Sequence, residues 1–290
     1  MEYIDGIEIK SLADVSFDEI CEAFTDAFAD YDTIFDKEQL KAMFLRRGAR
    51  RDMSFAAFDQ GRIVSFIING IGRWEDRMTA YDTGTGTVPQ YRGRGLTDRI
   101  FQYAVGQLAQ GGVKQYLLEV LKHNIPAVKI YTRLGFEITR EFGCFRGNCA
   151  EISDRLSSRA NETVSVKYAS VEDVDRFTSF MDFTPSWQNS LDSVKRNPDA
   201  FLCLIASDGN RPVGFGVSET AYGDISLIAV DRAYRRRGVG SRIMYELLNN
   251  ARCQQAKVLN IDNECRSMKA FLNSAGFDFS CSQYEMKLHL

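Results

Sequence analysis

The stretch that decides the fold is Tyr91-Arg-Gly-Arg-Gly-Leu-Thr-Asp-Arg-Ile100, because a second copy, Tyr234-Arg-Arg-Arg-Gly-Val-Gly-Ser-Arg-Ile243, lies 143 positions further along the chain. Each copy follows a short strand-like run and leads into apolar residues at helical spacing. A repeat of this length indicates a duplicated domain, since the units of solenoid proteins are about 20–50 residues long.

The two halves also match at their ends. Leu134-Gly-Phe136 and Ala275-Gly-Phe277 follow a second helical pattern in each half, and both halves open on a strand and a capping-box-like helix start. The order of elements predicts an α/β fold, an α+β-type mixed sheet with helices on its faces, in two tandem domains. We expect an N-terminal domain at residues 1–155 and a C-terminal domain at 163–290, with the polar stretch 147–163 as linker.

Composition narrows the classes of function. A net charge of −3 argues against nucleic acid and anionic membranes as partners, and the basic run 46–51 is interpreted as a solvated turn. The N-terminus does not resemble a signal peptide, and no apolar run suits a transmembrane helix. Seven cysteines without a CxxC pair favour reduced thiols and a cytoplasmic protein, although a Cys144–Cys149 disulfide is an alternative. With only two histidines, we expect no metal site.

The loop between strand and helix suits a diphosphate. Backbone N–H groups at a helix N-terminus are unpaired and favour an anion, and glycines allow the backbone to approach phosphate oxygens closely. A solvated basic turn is the alternative, but it would not require two aligned copies. Neither a GxGxxG loop after the first strand nor a P-loop Gly-Lys-Ser/Thr is present. The sequence therefore predicts a phosphate loop of another kind.

These residues resemble the GNAT superfamily, the general N-acetyltransferases. The family's Arg/Gln-x-x-Gly-x-Gly/Ala signature is matched by Arg235-Arg-Arg-Gly238-Val-Gly240, and by Arg92-Gly-Arg-Gly95-Leu-Thr97 except at Thr97. A second signature appears as Leu118-Glu-Val120, Asn124, Ala127, Tyr131 and Leu134-Gly-Phe136. The similarity runs from about residue 55 to 145 and again from about 200 to 290.

The resemblance implies a sheet splayed between its fourth and fifth strands, with acetyl-CoA as co-substrate in the cleft. The backbone N–H groups of Gly86 and Thr87 would polarise the thioester carbonyl. Tyr131 matches the family's general acid and Glu119 a general base found in some members, with Asp82 as the leading substitute. The implied cofactor-binding residues are Thr85, Gly86, Thr87, Arg92, Gly93, Arg94, Gly95, Leu96, Thr97, Asn124, Arg235, Gly238 and Gly240.

The C-terminal half lacks the polar groups of this set. By ungapped counting from its Gly-Phe pair, Leu272 stands at the position of Tyr131, Asn260 at that of Glu119 and Cys265 at that of Asn124. A leucine has no proton to donate. We therefore expect the N-terminal half to be catalytic and the C-terminal half to be degenerate in catalysis.

The predicted activity is transfer of an acetyl group to a primary amine by direct attack in a ternary complex. The acceptor is a small molecule or a peptide, and the segment 29–35 is a candidate for covering it. The alternative is a non-catalytic acyl-CoA-binding or sensing module. The chain presents the glutamate, asparagine and tyrosine together, which favours the enzyme.

Overall fold

The computed structural model describes the backbone of residues 2–4 and all atoms of residues 6–30 and 36–290. The chain forms two compact units. Unit 1 comprises Met1–Val120, Asn124–Thr139 and Glu285–Leu290, and unit 2 comprises Leu121–His123 and Arg140–Tyr284.

Unit 1 is built on a mixed sheet. Its strands stand in the order β1 (Glu2–Ile4), β2 (Ile7–Ser11), β3 (Phe55–Asp59), β4 (Arg62–Trp74), β5 (Arg77–Thr87) and β6 (Gln115–Leu121). The last residues of the chain follow β6 in this order, and the amide of Leu290 donates to the Lys114 carbonyl at 3.0 Å. The helices of this unit are α1 (Phe17–Ala27), α2 (Lys37–Arg47), α3 (Leu96–Gln110) and α4 (Ile125–Arg133).

Unit 2 repeats the pattern with a longer set of elements. In chain order these are β7 (Glu137–Asn148), α5 (Cys149–Ser157), β8 (Ser165–Ala169), α6 (Val171–Asp175), α7 (Leu191–Lys195), β9 (Phe201–Asp208), β10 (Arg211–Glu219), β11 (Asp224–Val230), α8 (Val239–Asn249), β12 (Gln255–Asp262), α9 (Arg266–Ala275) and β13 (Asp278–His289). Unit 2 includes β7 only from Arg140 and β13 only up to Tyr284. The strand order is β7-β12-β11-β10-β9-β8, so its sheet is also mixed. The predicted fold class is confirmed in both units.

Each sheet contains a β-bulge, and in each the bulged strand pairs with the next strand over only a short stretch. Thr83 is an extra residue in β5, since Ile68 pairs with Gly84 but Asn69 with Asp82; Ser226 is extra in β11. A β-bulge of this kind bends a strand and redirects its side chains. β5 then pairs with β6 only over Thr79–Tyr81, and β11 pairs with β12 only at Asp224. Beyond those points the described strands separate, as the family resemblance implies.

The helices begin where capping chemistry predicts. Ser16 with Glu19 and Ser170 with Asp173 form complete capping boxes at α1 and α6. Apolar side chains of α1, α2, β3 and β4 form one core of unit 1, while α5, α8 and α9 bury theirs in the largest core of unit 2.

The prediction of a linker over residues 147–163 is wrong. Asn148 caps α5 with its side chain, and Cys149, Ile152 and Leu156 of that helix are buried in the core of unit 2. Three apolar residues at helical spacing are enough to bury one face, even though the stretch is polar on average.

The structure joins none of the seven cysteines by a disulfide, so the alternative Cys144–Cys149 pairing is not present in it. Among the helices of the described ranges, none is long and apolar enough to cross a membrane.

Candidate active site

Asp82 lies at the bulge in β5, and three observations describe the surroundings of its carboxylate. Its Oδ2 accepts hydrogen bonds from the hydroxyls of Thr85 at 2.7 Å and Tyr131 at 3.1 Å. Its Oδ1 is buried and has no hydrogen-bond partner within the described residues. Burial raises the pKa of this carboxyl, and the hydrogen bonds from Thr85 and Tyr131 oppose that shift. A buried carboxylate oxygen without a donor is a group prepared to accept a proton.

Tyr131 is held at this carboxylate by aromatic packing. Its ring meets the ring of Phe136 edge-on, with 5.6 Å between centroids. Phe136 in turn packs against Phe101 and Tyr116, at 5.3 and 5.6 Å. The turn that places Phe136 requires a glycine, since Gly135 has φ of +93°. The Gly-Phe pair of the sequence signature therefore positions the phenol.

Glu119 affects the pKa of Tyr81, the residue next to Asp82. Burial raises the pKa of Tyr81 well above its usual range, and the charge of Glu119 adds to that shift while Arg47 opposes it. Arg47 also donates from Nη1 to the Thr83 carbonyl at 2.9 Å, which ties α2 to the bulge. Both predicted bases, Glu119 and Asp82, thus lie within electrostatic reach of one buried tyrosine.

The glycine loop ahead of α3 has the conformation that only glycine adopts easily. Gly93 and Gly95 have φ of +75° and +69°, and Gly95 caps α3 without a side chain. A Cβ added at either position would meet nothing within 4 Å. The glycines are therefore needed for the left-handed backbone conformation and not for close packing, and the space beside them is open. Leu96 is buried under the loop, and the hydroxyls of Thr97 and Thr87 are 3.4 Å apart.

The arginines of the loop are engaged with the protein. Arg92 donates to the carbonyls of Thr87 and Ala27 and to both carboxylate oxygens of Asp30. Arg94 donates to the Gln90 carbonyl and stacks over the ring of Tyr91. The Arg92 side chain therefore connects the glycine loop to the end of β5 and to the residues at and just after the end of α1.

Three other predicted residues have structural roles of their own. The Phe66 ring packs over Gly86, and a Cβ added there would lie 2.6 Å from that ring and 2.9 Å from the Cβ of Ala27. Asn124 caps α4, accepting from the Ala127 amide at 3.3 Å. Thr85 orients Asp82.

The corresponding positions of unit 2 are apolar or engaged elsewhere. Leu272 is fully buried, and the side-chain amide of Asn260 donates to the Ser186 hydroxyl at 3.0 Å. Ile225 stands next to the bulge residue of β11, as Asp82 does in β5. The loop itself is kept, with Gly238 at φ of +77° capping α8.

The sequence names Glu119 as the base with Asp82 as its substitute, and the bulge at Thr83 beside Asp82 leaves no pattern in the sequence. Sequence reasoning also missed the buried hydrogen bond from the Tyr116 hydroxyl to Asn69, which has no recognisable motif. Of the proposed acceptor segment, residues 31–35 lie outside the described residues. Within the described part of the chain, no cluster of three His, Cys, Asp or Glu side chains could hold a metal ion.

Known proteins share sequence and fold with this chain. The profile of the Acetyltransferase (GNAT) family matches residues 17–136 and again 169–277. N-alpha-acetyltransferase MAK3 of Arabidopsis thaliana is 29% identical over 84 residues, a match covering 29% of this chain and 44% of that protein. The chain therefore aligns with less than half the length of this curated relative.

Solved structures share the fold over almost the whole chain. A tandem GNAT protein from the clavulanic acid biosynthesis pathway matches with a TM-score of 0.75 at 11% identity, over 98% of both chains. A putative acetyltransferase from Pyrococcus horikoshii matches with a TM-score of 0.71 at 15% identity, over 100% of this chain and 92% of that one. Since the two profile matches together span well over half of the residues, this chain belongs to the GNAT acetyltransferase family.

Proposed function

We propose that unit 1 transfers an acetyl group from acetyl-CoA to a primary amine by direct attack in a ternary complex. The observation that carries this proposal is the 3.1 Å hydrogen bond between the Tyr131 hydroxyl and the buried Asp82 carboxylate. This hydrogen bond pairs a proton donor with a proton acceptor, and both residues lie in unit 1 together with the glycine loop.

The residues of unit 1 fit acetyl-CoA. The open space at Gly93 and Gly95, ahead of the first amides of α3, suits a diphosphate, with the hydroxyls of Thr87 and Thr97 nearby. The separation of β5 from β6 leaves backbone groups of residues 82–87 without a strand partner on that side. When bound, acetyl-CoA supplies an activated acyl group.

The side chains provide for both proton movements of acyl transfer to an amine. Asp82 accepts the proton that the attacking nitrogen loses, at the Oδ1 that has no other donor among the described residues. The Tyr131 hydroxyl donates its proton to the departing sulfur. Reorientation of the protonated Asp82 carboxyl then brings this proton to the phenolate, whose oxygen lies 3.1 Å from Oδ2, and the transfer restores both groups. Glu119 supports the negative environment in which a cationic amine would bind, and the ammonium form releases one proton to solvent before the attack.

The test is a thiol-release assay with acetyl-CoA across a panel of amines that includes aminoglycosides, polyamines, amino acids and peptides. Tyr131→Phe should lower kcat by about a hundredfold or more and leave acetyl-CoA affinity nearly unchanged. Tyr168→Phe is the matched control, since Tyr168 is exposed on β8.

Two outcomes would contradict the proposal. An unchanged rate in Tyr131→Phe would remove this residue from the mechanism. Binding of CoA without turnover on any amine would favour a sensing module over an enzyme.

A further inference from the structure

The glycine loops of the two units differ in what lies beside them. Gly95 of unit 1 is exposed, and a Cβ added there would meet nothing within 4 Å. A Cβ added at its counterpart in unit 2, Gly238, would lie 2.4 Å from the Arg159 carbonyl oxygen and 3.1 Å from the Asn161 nitrogen. Both glycines have left-handed backbone and cap a helix, so the two loops share one conformation. The loop of unit 2 is therefore covered by backbone where the loop of unit 1 is open.

The covering segment, Arg159–Thr163, is attached to its surroundings at both ends. The Asn161 backbone N–H donates to the Gly238 carbonyl at 3.2 Å, and the Asn161 side-chain amide donates to the Arg237 carbonyl at 2.8 Å. The Asn161 Oδ1 accepts from the N–H of the last residue of the segment at 3.0 Å, which is the geometry of an Asx turn. The guanidinium of the first residue donates to the Ser274 carbonyl of α9 at 2.8 Å. These bonds make the segment a fixed part of unit 2.

The segment follows from an element that unit 2 has in a place where unit 1 has a strand. In unit 2, the first strand of the repeat is β8, and it is preceded by α5, whose residues Ile152 and Leu156 are buried in the core. In unit 1, the equivalent strand is β2, and it is preceded by β1, which pairs with β2. The core packing of α5 thus places the residues after it at the glycine loop.

This arrangement does not fit a diphosphate in unit 2. Phosphate oxygens bind a helix N-terminus by approaching its first N–H groups to hydrogen-bond distance, about 3 Å. The Arg159 carbonyl oxygen lies in that approach beside Gly238, and its partial negative charge opposes a second anion there. Unit 2 therefore keeps the residues of the sequence signature, Arg235, Gly238 and Gly240, without the open space that unit 1 has at its loop.

We propose that the segment Arg159–Thr163 is a built-in occupant of the unit 2 glycine loop, which leaves unit 1 as the single acetyl-CoA site of the chain. The statement about unit 1 rests on its proposed function, and the statement about unit 2 does not. The carbonyl oxygen of the segment lies at the positive end of the α8 dipole, where a phosphate would otherwise be favoured. The second copy of the loop thus serves as an internal contact of unit 2.

The first test is calorimetric titration of the full chain with CoA, which should give one CoA per chain. Arg94→Glu and Arg237→Glu are a matched pair, because both arginines are exposed and each stacks over the tyrosine of its own loop, Tyr91 or Tyr234. We expect Arg94→Glu to weaken CoA binding at least tenfold and Arg237→Glu to change it less than twofold. Circular dichroism checks that both variants are folded.

The second test is hydrogen exchange, which reports on each loop separately. Addition of CoA should slow the exchange of the first amides of α3 and leave those of α8 unchanged. In the free protein, Asn161→Ala removes the side-chain bond to the loop and should speed exchange at the start of α8 at least threefold. Asn249→Ala, at the exposed last residue of α8, is the control and should leave exchange at the start of α8 unchanged.

The outcomes separate this inference from the function proposed for unit 1. The inference is overturned if the chain binds two CoA molecules, if CoA slows exchange at the start of α8, or if Arg237→Glu weakens binding as much as Arg94→Glu. Unchanged exchange in Asn161→Ala would likewise show that the segment does not cover the loop. Binding of no CoA at all would agree with a closed unit 2 and would contradict the function proposed for unit 1.

Discussion

Asp82 combines a cost to stability with the catalytic role that we propose for it. Its carboxylate is placed at a bulge, with one oxygen buried and unpartnered in the described structure and the other shared by Thr85 and Tyr131. Because burial raises its pKa, the ionised form is less favourable in the folded protein than in the unfolded chain. Such a group is characteristic of a functional site.

We expect Asp82→Asn to stabilise the protein and to inactivate it. Since the folded-state pKa of Asp82 is raised, the wild type loses stability relative to this variant as pH rises through that pKa. Urea unfolding at about pH 4 and pH 8 should show an advantage of Asp82→Asn that grows with pH. An advantage that stays constant, or grows as pH falls, would contradict a buried charge.

The activity of the same variant separates the two candidate bases. Asp82→Asn should lower kcat/KM by about a hundredfold or more and remove the acid limb of its pH profile. Glu119→Gln should mainly raise KM for a cationic amine. If Glu119→Gln instead removes the acid limb and Asp82→Asn does not, the general base is Glu119.

At the scale of elements, the succession of strand, glycine loop and helix could be predicted from the sequence, but the bulge in the strand could not. The glycine loop, the capping boxes at Ser16 and Ser170 and the Gly-Phe turn each depend on a few neighbouring residues, which a sequence shows directly. The bulges at Thr83 and Ser226 depend on how two strands pair, and α5 depends on what core it meets. The role of Arg92 was equally hidden, because its partner Asp30 is 62 positions away.

Gly95 and Gly106 stand at the start and in the middle of α3 and should respond oppositely to alanine. Gly95→Ala forces a Cβ into left-handed backbone, so we expect a loss of about 1 kcal/mol in the free energy of unfolding and a higher KM for acetyl-CoA. Gly106→Ala should gain about 0.5–1 kcal/mol, because a Cβ there meets nothing within 4 Å. Chemical denaturation of both variants measures these changes; equal effects would show that the loop conformation is not strained by a side chain.

At the scale of the whole molecule, unit 1 includes residues from the far end of the chain. Met286 is fully buried, Lys287 pairs with Glu75 at 2.6 Å, and the Thr139 hydroxyl donates to the Glu285 carboxylate at 2.8 Å. No local pattern could reveal this arrangement, since both strands involved look like ordinary closing strands of their own halves.

Deleting Glu285–Leu290 should therefore destabilise unit 1 and lower its activity. Removal of the buried Met286 side chain alone costs about 2–5 kcal/mol. Hydrogen exchange should report the loss in α3, β5 and β6. Substitution of the exposed Tyr168→Ala in unit 2 is the control, and full activity of the shortened chain would contradict the prediction.

Because unit 1 includes residues 285–290, the order of synthesis on the ribosome affects how it can fold. Domains ordinarily fold in the order in which they are translated, at roughly 5–20 residues per second. Here the first unit lacks its last strand until residues 285–290 have emerged, long after Thr139. Unit 1 therefore remains incomplete while unit 2 is translated, so we expect chaperones to be needed mainly by the nascent N-terminal part of the chain.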